Sequence, residues 1–331
     1  MTTDRWYGVH TGGPHYLDHL GILCEGLGIP LLVTELTTFQ VAKEFYPDLD
    51  VRYVELHNLS LEYLCEIADV IFESGHTFAA ELIPLMHMMH GKKMRVVYCP
   101  HGNSDKKAPH LPKDLSLVYG DHMHDHLIKT GEKVFIEQVV VTGNYRGAYY
   151  NSKKEWYDQK LSELLDHQLD PTKKTVLYAP TWDHNEWFPQ TLKVIEEVGS
   201  SYNLLLRLHP FLPEMFPVES EKIHADRSII HLSHFPSIYP ILNRCDYYIG
   251  DRSSIGYDFL CFDKPLFFLG EGEGEIYQCG LILSQAMRQI LEQFQDSSEL
   301  SSKRKQLAQR VFGAIKNFDE IKEAIKIALV N

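Results

Sequence analysis

Short, unbroken apolar runs punctuate this chain, each bounded by glycine, proline or charged residues. Between them lie stretches whose apolar positions recur every three to four residues. The first pattern predicts strands buried on both faces, and the second predicts helices that cover them. In the first half the strand candidates are Trp6-Tyr7-Gly8-Val9-His10, Pro30-Leu31-Leu32-Val33-Thr34, Val51-Arg52-Tyr53-Val54, Asp69-Val70-Ile71-Phe72-Glu73, Arg95-Val96-Val97-Tyr98-Cys99, Ser116-Leu117-Val118-Tyr119-Gly120 and residues 137–142. Helical periodicity covers 16–26, 61–68, 78–90 and 121–130. Residues 145–154 are polar and aromatic without a clear period, which predicts an interdomain link.

A helix over 155–166 opens the second half. Strand-like runs follow at 175–180, 202–209, 229–232, 245–250 and 265–269. Residues 281–294 and 304–329 read as long helices; the last carries Leu307, Val311, Phe312, Ile315, Phe318, Ile321 and Ile325 at helical spacing. Alternation of strand and helix through both halves predicts an α/β protein with two Rossmann-like, doubly wound parallel-sheet domains facing a central cleft. The expected division is 1–145 for an acceptor-side domain, 155–310 for a nucleotide-donor domain, and 311–331 for a terminal helix near their junction.

Length and charge narrow this picture. A chain of 331 residues is long for one core. The net charge of −13 argues against a general nucleic-acid binder, although a local positive site for a small anion stays compatible with it. The cysteines at 24, 65, 99, 245, 261 and 279 form no CxxC pair, and several sit in apolar runs, as reduced core thiols do. Neither a signal segment nor an apolar stretch of about 18 residues is present, so a cytoplasmic protein is expected, with peripheral contact on the inner membrane face left open.

Strand ends carry the candidate chemistry, because open α/β sheets bind ligands beyond the carboxyl ends of their strands. The first motif is Pro100-His101-Gly102-Asn103-Ser104-Asp105-Lys106, where His101 is suited to move a proton near neutral pH. The second half supplies three more: Ala179-Pro180-Thr181-Trp182-Asp183, Leu206-Arg207-Leu208-His209-Pro210, and Gly250-Asp251-Arg252-Ser253-Ser254 leading to Asp258-Phe259. Small hydroxyl residues between a strand and a helix offer amides, hydroxyls and a positive helix terminus to a phosphate, or serve as a plain helix cap. Neither GxxxxGK[ST] nor GxGxxG occurs.

Taken in order, His101-Gly102 with Lys106, Tyr178-Ala179-Pro180-Thr181-Trp182, Arg207 with His209, Asp251 with Ser253-Ser254 and Asp258-Phe259, and Lys264-Pro265 resemble the CDP-glycerol:glycerophosphotransferase family, which includes the teichoic acid primases and polymerases. Gly143-Asn144-Tyr145-Arg146 is similar to the Gly-x-Pro-Arg element that closes the family's first domain, with Tyr in place of Pro. The resemblance spans about 90–270; residues 1–90 match in general pattern only. It implies a GT-B-like fold and transfer of a glycerol phosphate or related polyol phosphate from a CDP-activated donor to a hydroxyl, releasing CMP. The donor would be a substrate, with no cofactor and no metal. The acceptor would be a hydroxyl, polymer- or lipid-linked in the family. By the same resemblance His101 is the general base, His209 with Arg207 holds the transferred phosphate, and Ser253 and Ser254 bind the donor diphosphate. Asp251 and Thr181 complete the donor side, with Asp258 ordering that loop or binding a polar donor group, and Arg252 adding a phosphate contact or a plain surface charge. Asn103 and Lys106 are expected on the acceptor side or in the cleft; so are Gly12, Gly13 and His15, which follow the first strand and otherwise form a tight turn. Departures fall at Arg252, where the family has Tyr, and at Asp183, where it has Arg.

Other signals have blander readings. Asp121-His122-Met123-His124-Asp125-His126 places His122 and His126 on one helix face as metal ligands would stand, but a polar helix start explains it. Asp48-Leu49-Asp50 fits a solvated turn, and Glu271, Glu273 and Glu275 a mobile rim. Trp182, Trp187, Phe188 and Phe211 would stack on a cytosine or fill the core. The basic start of the last helix, Lys303-Arg304-Lys305, fits a solvated face or an anionic lipid surface. Two competing functions stay open: a GT-B glycosyltransferase or UDP-sugar epimerase-like enzyme, and a noncatalytic nucleotide-binding relative.

Overall fold

A computed structural model describes residues 5–75, 78–103, 111–182, 186–232, 234–283 and 286–330. Lys106 and Asp183 lie outside the described residues. The chain forms two compact units, Met1–Ser152 joined by Arg310–Asn331, and Lys153–Gln309. Among the described residues no helix is long and apolar enough to cross a membrane.

In the first unit the strands are β1 (Trp6–His10), β2 (Leu31–Val33), β3 (Val51–Tyr53), β4 (Val70–Glu73), β5 (Arg95–Tyr98), β6 (Lys113–Val118) and β7 (Ile136–Val141). They pair in parallel in the order β3-β2-β1-β4-β5-β6-β7. The order reverses between β1 and β4. At such a switch point the loops diverge to opposite faces and leave a crevice. One face packs Val9, Leu32, Ile71 and Met94 against Leu64, Ala68 and Met86 from the covering helices. Each such side chain fully withdrawn from water contributes roughly 1.5–3 kcal/mol.

The second unit repeats the plan with β8 (Thr175–Ala179), β9 (Asn203–Leu206), β10 (Ile230–His231), β11 (Tyr247–Gly250), β12 (Leu266–Phe268) and β13 (Gly280–Ile282). Their order is β10-β9-β8-β11-β12-β13, all parallel, with the switch between β8 and β11. Val176, Leu204, Leu206, Ile249 and Phe267 pack with Trp187, Val194 and Val198 of the helix Trp187–Val198. Trp187 is therefore core, not a base-stacking surface.

Three sequence expectations need correction. Residues 145–154 do not form an irregular link: Tyr145–Ser152 is a helix that buries Tyr145, Arg146, Gly147, Tyr149 and Tyr150. Its buried set is too aromatic and too wide to show a helical stripe. Residues 281–294 are not one helix, because Gly280–Ile282 pairs with β12 as an edge strand before the helix Met287–Gln293 begins. The terminal pattern is two helices, Ser298–Phe312 and Phe318–Val330. They part at Gly313, whose φ of 60° is a left-handed conformation that a helix interior does not hold.

The second of these helices is part of the first unit. Ile321, Ile325 and Leu329 form its buried stripe, and it contacts β6, β7 and the helix Ile22–Leu27. Lys322 donates to the Leu27 carbonyl at 2.7 Å. Gly143 makes this closure possible: at φ 67° a Cβ would stand 2.3 Å from the Ala314 carbonyl oxygen. Beside it, Arg146 is buried and paired with buried Asp18, donating also to the Asp18 carbonyl at 2.8 Å. The Gly-Asn-Tyr-Arg element thus ties the end of β7 to the segment after β1.

Candidate active site

In the first unit, the loop after β1 stands at the switch point, and the loop after β5 follows one strand beyond β4. His10, the last residue of β1, is buried, with Nε2 2.9 Å from the Gly13 carbonyl. Burial pushes its pKa below the ordinary histidine value. The Gly12 carbonyl accepts the Thr38 hydroxyl at 2.8 Å. The glycine carbonyls therefore hold the loop in place. Tyr16 follows, with ring centroids 5.0 Å from His10, 4.3 Å from His15 and 5.6 Å from His101. His15 and His101, far apart in sequence, are thus brought to one tyrosine.

His101 is exposed, and its Nδ1 lies 3.3 Å from the Tyr98 hydroxyl. Tyr98 ends β5 and is buried; burial pushes its phenol pKa well above the ordinary value, so it stays protonated. The Lys113 ammonium sits 4.1 Å above its ring. Burial lowers the Lys113 pKa, against the opposing pull of Glu132 and Glu73, both buried. Asn103 has surroundings unlike the open wall expected of it. It is 1% exposed, and its side-chain amide lies 3.1 Å from His122 Nδ1. This contact braces the turn after His101 and occupies Nδ1 of His122, which is buried. Among the described residues no group of three or more His, Cys, Asp or Glu side chains is arranged to hold a metal ion.

In the second unit, the register Ala179↔Gly250 sets the ends of β8 and β11 side by side. Asp251 then accepts two hydrogen bonds from Thr181, from the amide at 2.8 Å and the hydroxyl at 2.7 Å. Both residues are buried, so this pair pins two strand-end loops together. Asp258 is also buried and accepts the Tyr239 hydroxyl at 3.1 Å, bracing one helix against another. Arg207 was expected beside a phosphate. Its guanidinium donates to the Phe235 carbonyl at 2.6 Å and the Pro236 carbonyl at 3.0 Å, which ties the end of β9 to the loop before the helix Ile238–Arg244.

The groups left facing solvent are fewer. Ser253 caps the helix Ser254–Phe259, its hydroxyl accepting the Ile255 amide at 3.4 Å. Ser253 and Ser254 are half-buried, and Arg252 is exposed. His209 Nδ1 accepts the Phe211 amide at 3.3 Å, so the neutral ring carries its proton on Nε2. Trp182 and Phe211 meet edge-on at 5.5 Å beside it. Lys264 donates to the Asn243 and Cys245 carbonyls at 2.6 and 2.7 Å, giving the Lys-Pro motif a backbone-tying role. A cavity of about 520 Å³ lies toward the amino ends of β5 to β7, lined by Met94, Lys113 and Glu137 among others; none of the candidate residues lines it.

Sequence reasoning missed Tyr16 and Tyr98. The available signal was a tyrosine as the last strand residue three places before a strand-end histidine.

The model of the family described as CDP-Glycerol:Poly(glycerophosphate) glycerophosphotransferase matches residues 83–278. The chain belongs to this family. Among its relatives, the teichoic acid glycerol-phosphate primase of Bacillus spizizenii is 30% identical over 127 residues, 37% of this chain and 30% of that protein. The teichoic acid poly(ribitol-phosphate) polymerase of the same organism is 24% identical over 204 residues, 57% of this chain and 32% of that one. The chain spans about a third or less of the length of the curated relatives it matches. A solved structure of the wall teichoic acid polymerase TagF covers 98% of this chain and 89% of its own, with a TM-score of 0.68 at 15% identity, which shows the shared GT-B-like fold. A TagF variant has also been soaked with CDPG.

Proposed function

We propose that this protein transfers glycerol phosphate, or a related polyol phosphate, from a CDP-activated donor to an acceptor hydroxyl and releases CMP. Family membership supports the reaction class, and the CDPG soaked into TagF supports the donor. The observation that carries the residue roles is the contrast between two strand-end histidines. Nδ1 of His209 is taken by a backbone amide, which leaves Nε2–H as a donor. Nδ1 of His101 lies 3.3 Å from the Tyr98 phenol, and with the ring proton on that nitrogen Nε2 takes the incoming proton.

In this reading the acceptor hydroxyl loses its proton to His101 Nε2 as its oxygen bonds to the phosphorus that carries the polyol. The bond from that phosphorus to the CMP phosphate breaks, and CMP leaves with the electron pair. A positioned base contributes roughly 100- to 10,000-fold. The remainder is positioning and charge stabilisation, supplied by His209 Nε2–H, the Ser253 and Ser254 hydroxyls and Arg252. Asp251, Thr181, Arg207 and Asp258 act one layer behind, by holding these loops. The acceptor is a hydroxyl, polymer- or lipid-linked; the polymer reading is supported by the teichoic acid poly(ribitol-phosphate) polymerase among the relatives.

The test is CMP release from CDP-glycerol and CDP-ribitol by the wild type, His101→Ala and His209→Ala. Both variants should lose at least about 100-fold in turnover. Undiminished turnover in His101→Ala would overturn the base assignment, and preference for UDP-sugars over both donors would overturn the reaction.

A further inference from the structure

We propose that Tyr98 is a positioning residue whose phenol oxygen accepts the Nδ1–H of His101, holding the imidazole in the tautomer that leaves Nε2 able to take a proton. This rests on the base role of His101. The tautomer is the point at issue: a ring protonated on Nε2 is no base at that atom, however well it is placed.

Three observations carry the inference. Nδ1 of His101 and the Tyr98 hydroxyl are 3.3 Å apart, slightly long, as catalytic hydrogen bonds often are before substrate binds. The phenol is rigidly seated: Tyr98 is 7% exposed, its backbone pairs with Ser116 in β6, and the Lys113 ammonium lies over its ring. Tyr16 packs edge-on against the other partner at an interplanar angle of 74°, so His101 is fixed from two sides. The aligned backbone partner of Tyr98 in β4 is Glu73. The groups bearing on this pair are Glu73 from β4, Lys113 from β6, Glu132 from the turn before β7, Tyr16 from the loop after β1, and the neighbouring Cys99 thiol. Charged neighbours on this list include both signs; burial, Glu73 and Glu132 hold the proton on the Tyr98 phenol, so the direction in which that O–H points decides the histidine tautomer.

An acceptor at Nδ1–H favours the imidazolium more than the neutral ring, because a charged donor makes the stronger hydrogen bond. Removing it should lower the pKa of His101 and weaken catalysis without weakening donor binding. The experiment compares wild type, Tyr98→Phe and His101→Ala across pH with CDP-glycerol as the donor. For Tyr98→Phe we expect kcat to fall about 10-fold, KM for the donor to stay within about 2-fold, and the acidic limb of the kcat profile to move to lower pH. A Tyr98→Phe profile that superposes on wild type, while His101→Ala is inactive, overturns the positioning role and leaves the base standing. An active His101→Ala overturns both. Nitrogen-15 NMR of histidine-labelled wild type, with His101 assigned by its absence in His101→Ala, gives a readout that does not depend on the Phe variant folding. The Nδ1–H tautomer supports the proposal and the Nε2–H tautomer overturns it.

Discussion

Replacing Asp251 by alanine should destabilise the second unit before it changes any ligand contact. One carboxylate oxygen accepts both the amide and the hydroxyl of Thr181, at 2.8 and 2.7 Å, and Thr181 is only 2% exposed. The variant leaves two buried donors without their acceptor. Each such group costs about 1–3 kcal/mol, so the loss is roughly 2–5 kcal/mol once relaxation of the loop is allowed for. Thr181→Val removes the hydroxyl alone and should cost about 1.5–3 kcal/mol. In the double variant the costs should fall short of their sum by at least about 1 kcal/mol, because both changes break the same contact. Asp251→Asn keeps an acceptor oxygen without the charge and should lie between wild type and Asp251→Ala. The assay is urea unfolding of the full chain followed by tryptophan fluorescence. It reports chiefly on this unit, since Trp156, Trp182 and Trp187 lie within Lys153–Gln309 and only Trp6 lies outside. A loss below about 1 kcal/mol, or strict additivity in the double variant, would refute the claim that this pair joins the ends of β8 and β11.

Two further perturbations bear on the first unit. Arg146→Met strips the partner from buried Asp18 and should cost about 3–5 kcal/mol, read as earlier unfolding by circular dichroism; a cost under about 1 kcal/mol would mean the pair is not buried in solution. His10 is held neutral by burial, with its folded pKa below the ordinary 6.5. The unfolded chain therefore binds the proton first, and stability is lost as pH falls below about 6.5 toward the folded value. The slope of Tm against pH between about pH 7.5 and 5 should flatten in His10→Gln, and an unchanged slope would assign the acid sensitivity elsewhere.

The strand-end histidines show how far local pattern reaches. An apolar run followed by His-Gly, and another followed by Arg-x-His, located His101 and His209 at the carboxyl edges of two parallel sheets. The same reasoning placed Ser253 and Ser254 at a helix start, where Ser253 is the cap. It did not decide, however, which polar residues near those ends stay open to a ligand. Asn103, Thr181, Arg207, Asp251 and Asp258 are committed to partners inside the fold. Tyr98 and Tyr16 looked like ordinary aromatics and are the nearest neighbours of His101.

What the sequence by itself determined is the succession of buried strands and covering helices, the two-half α/β plan, and the strand-end residue types by which the family is known. These follow from periodicity and composition, which act over a few residues. The tertiary structure alone decided which polar groups remain to meet a substrate. It also made residues 145–152 a buried helix and joined residues 310–331 to the first unit. The physical reason is that a buried donor or acceptor must find a partner wherever the fold supplies one. For Thr181 that partner stands 70 residues away and for Arg146 it stands 128 away, distances over which no periodic pattern carries information.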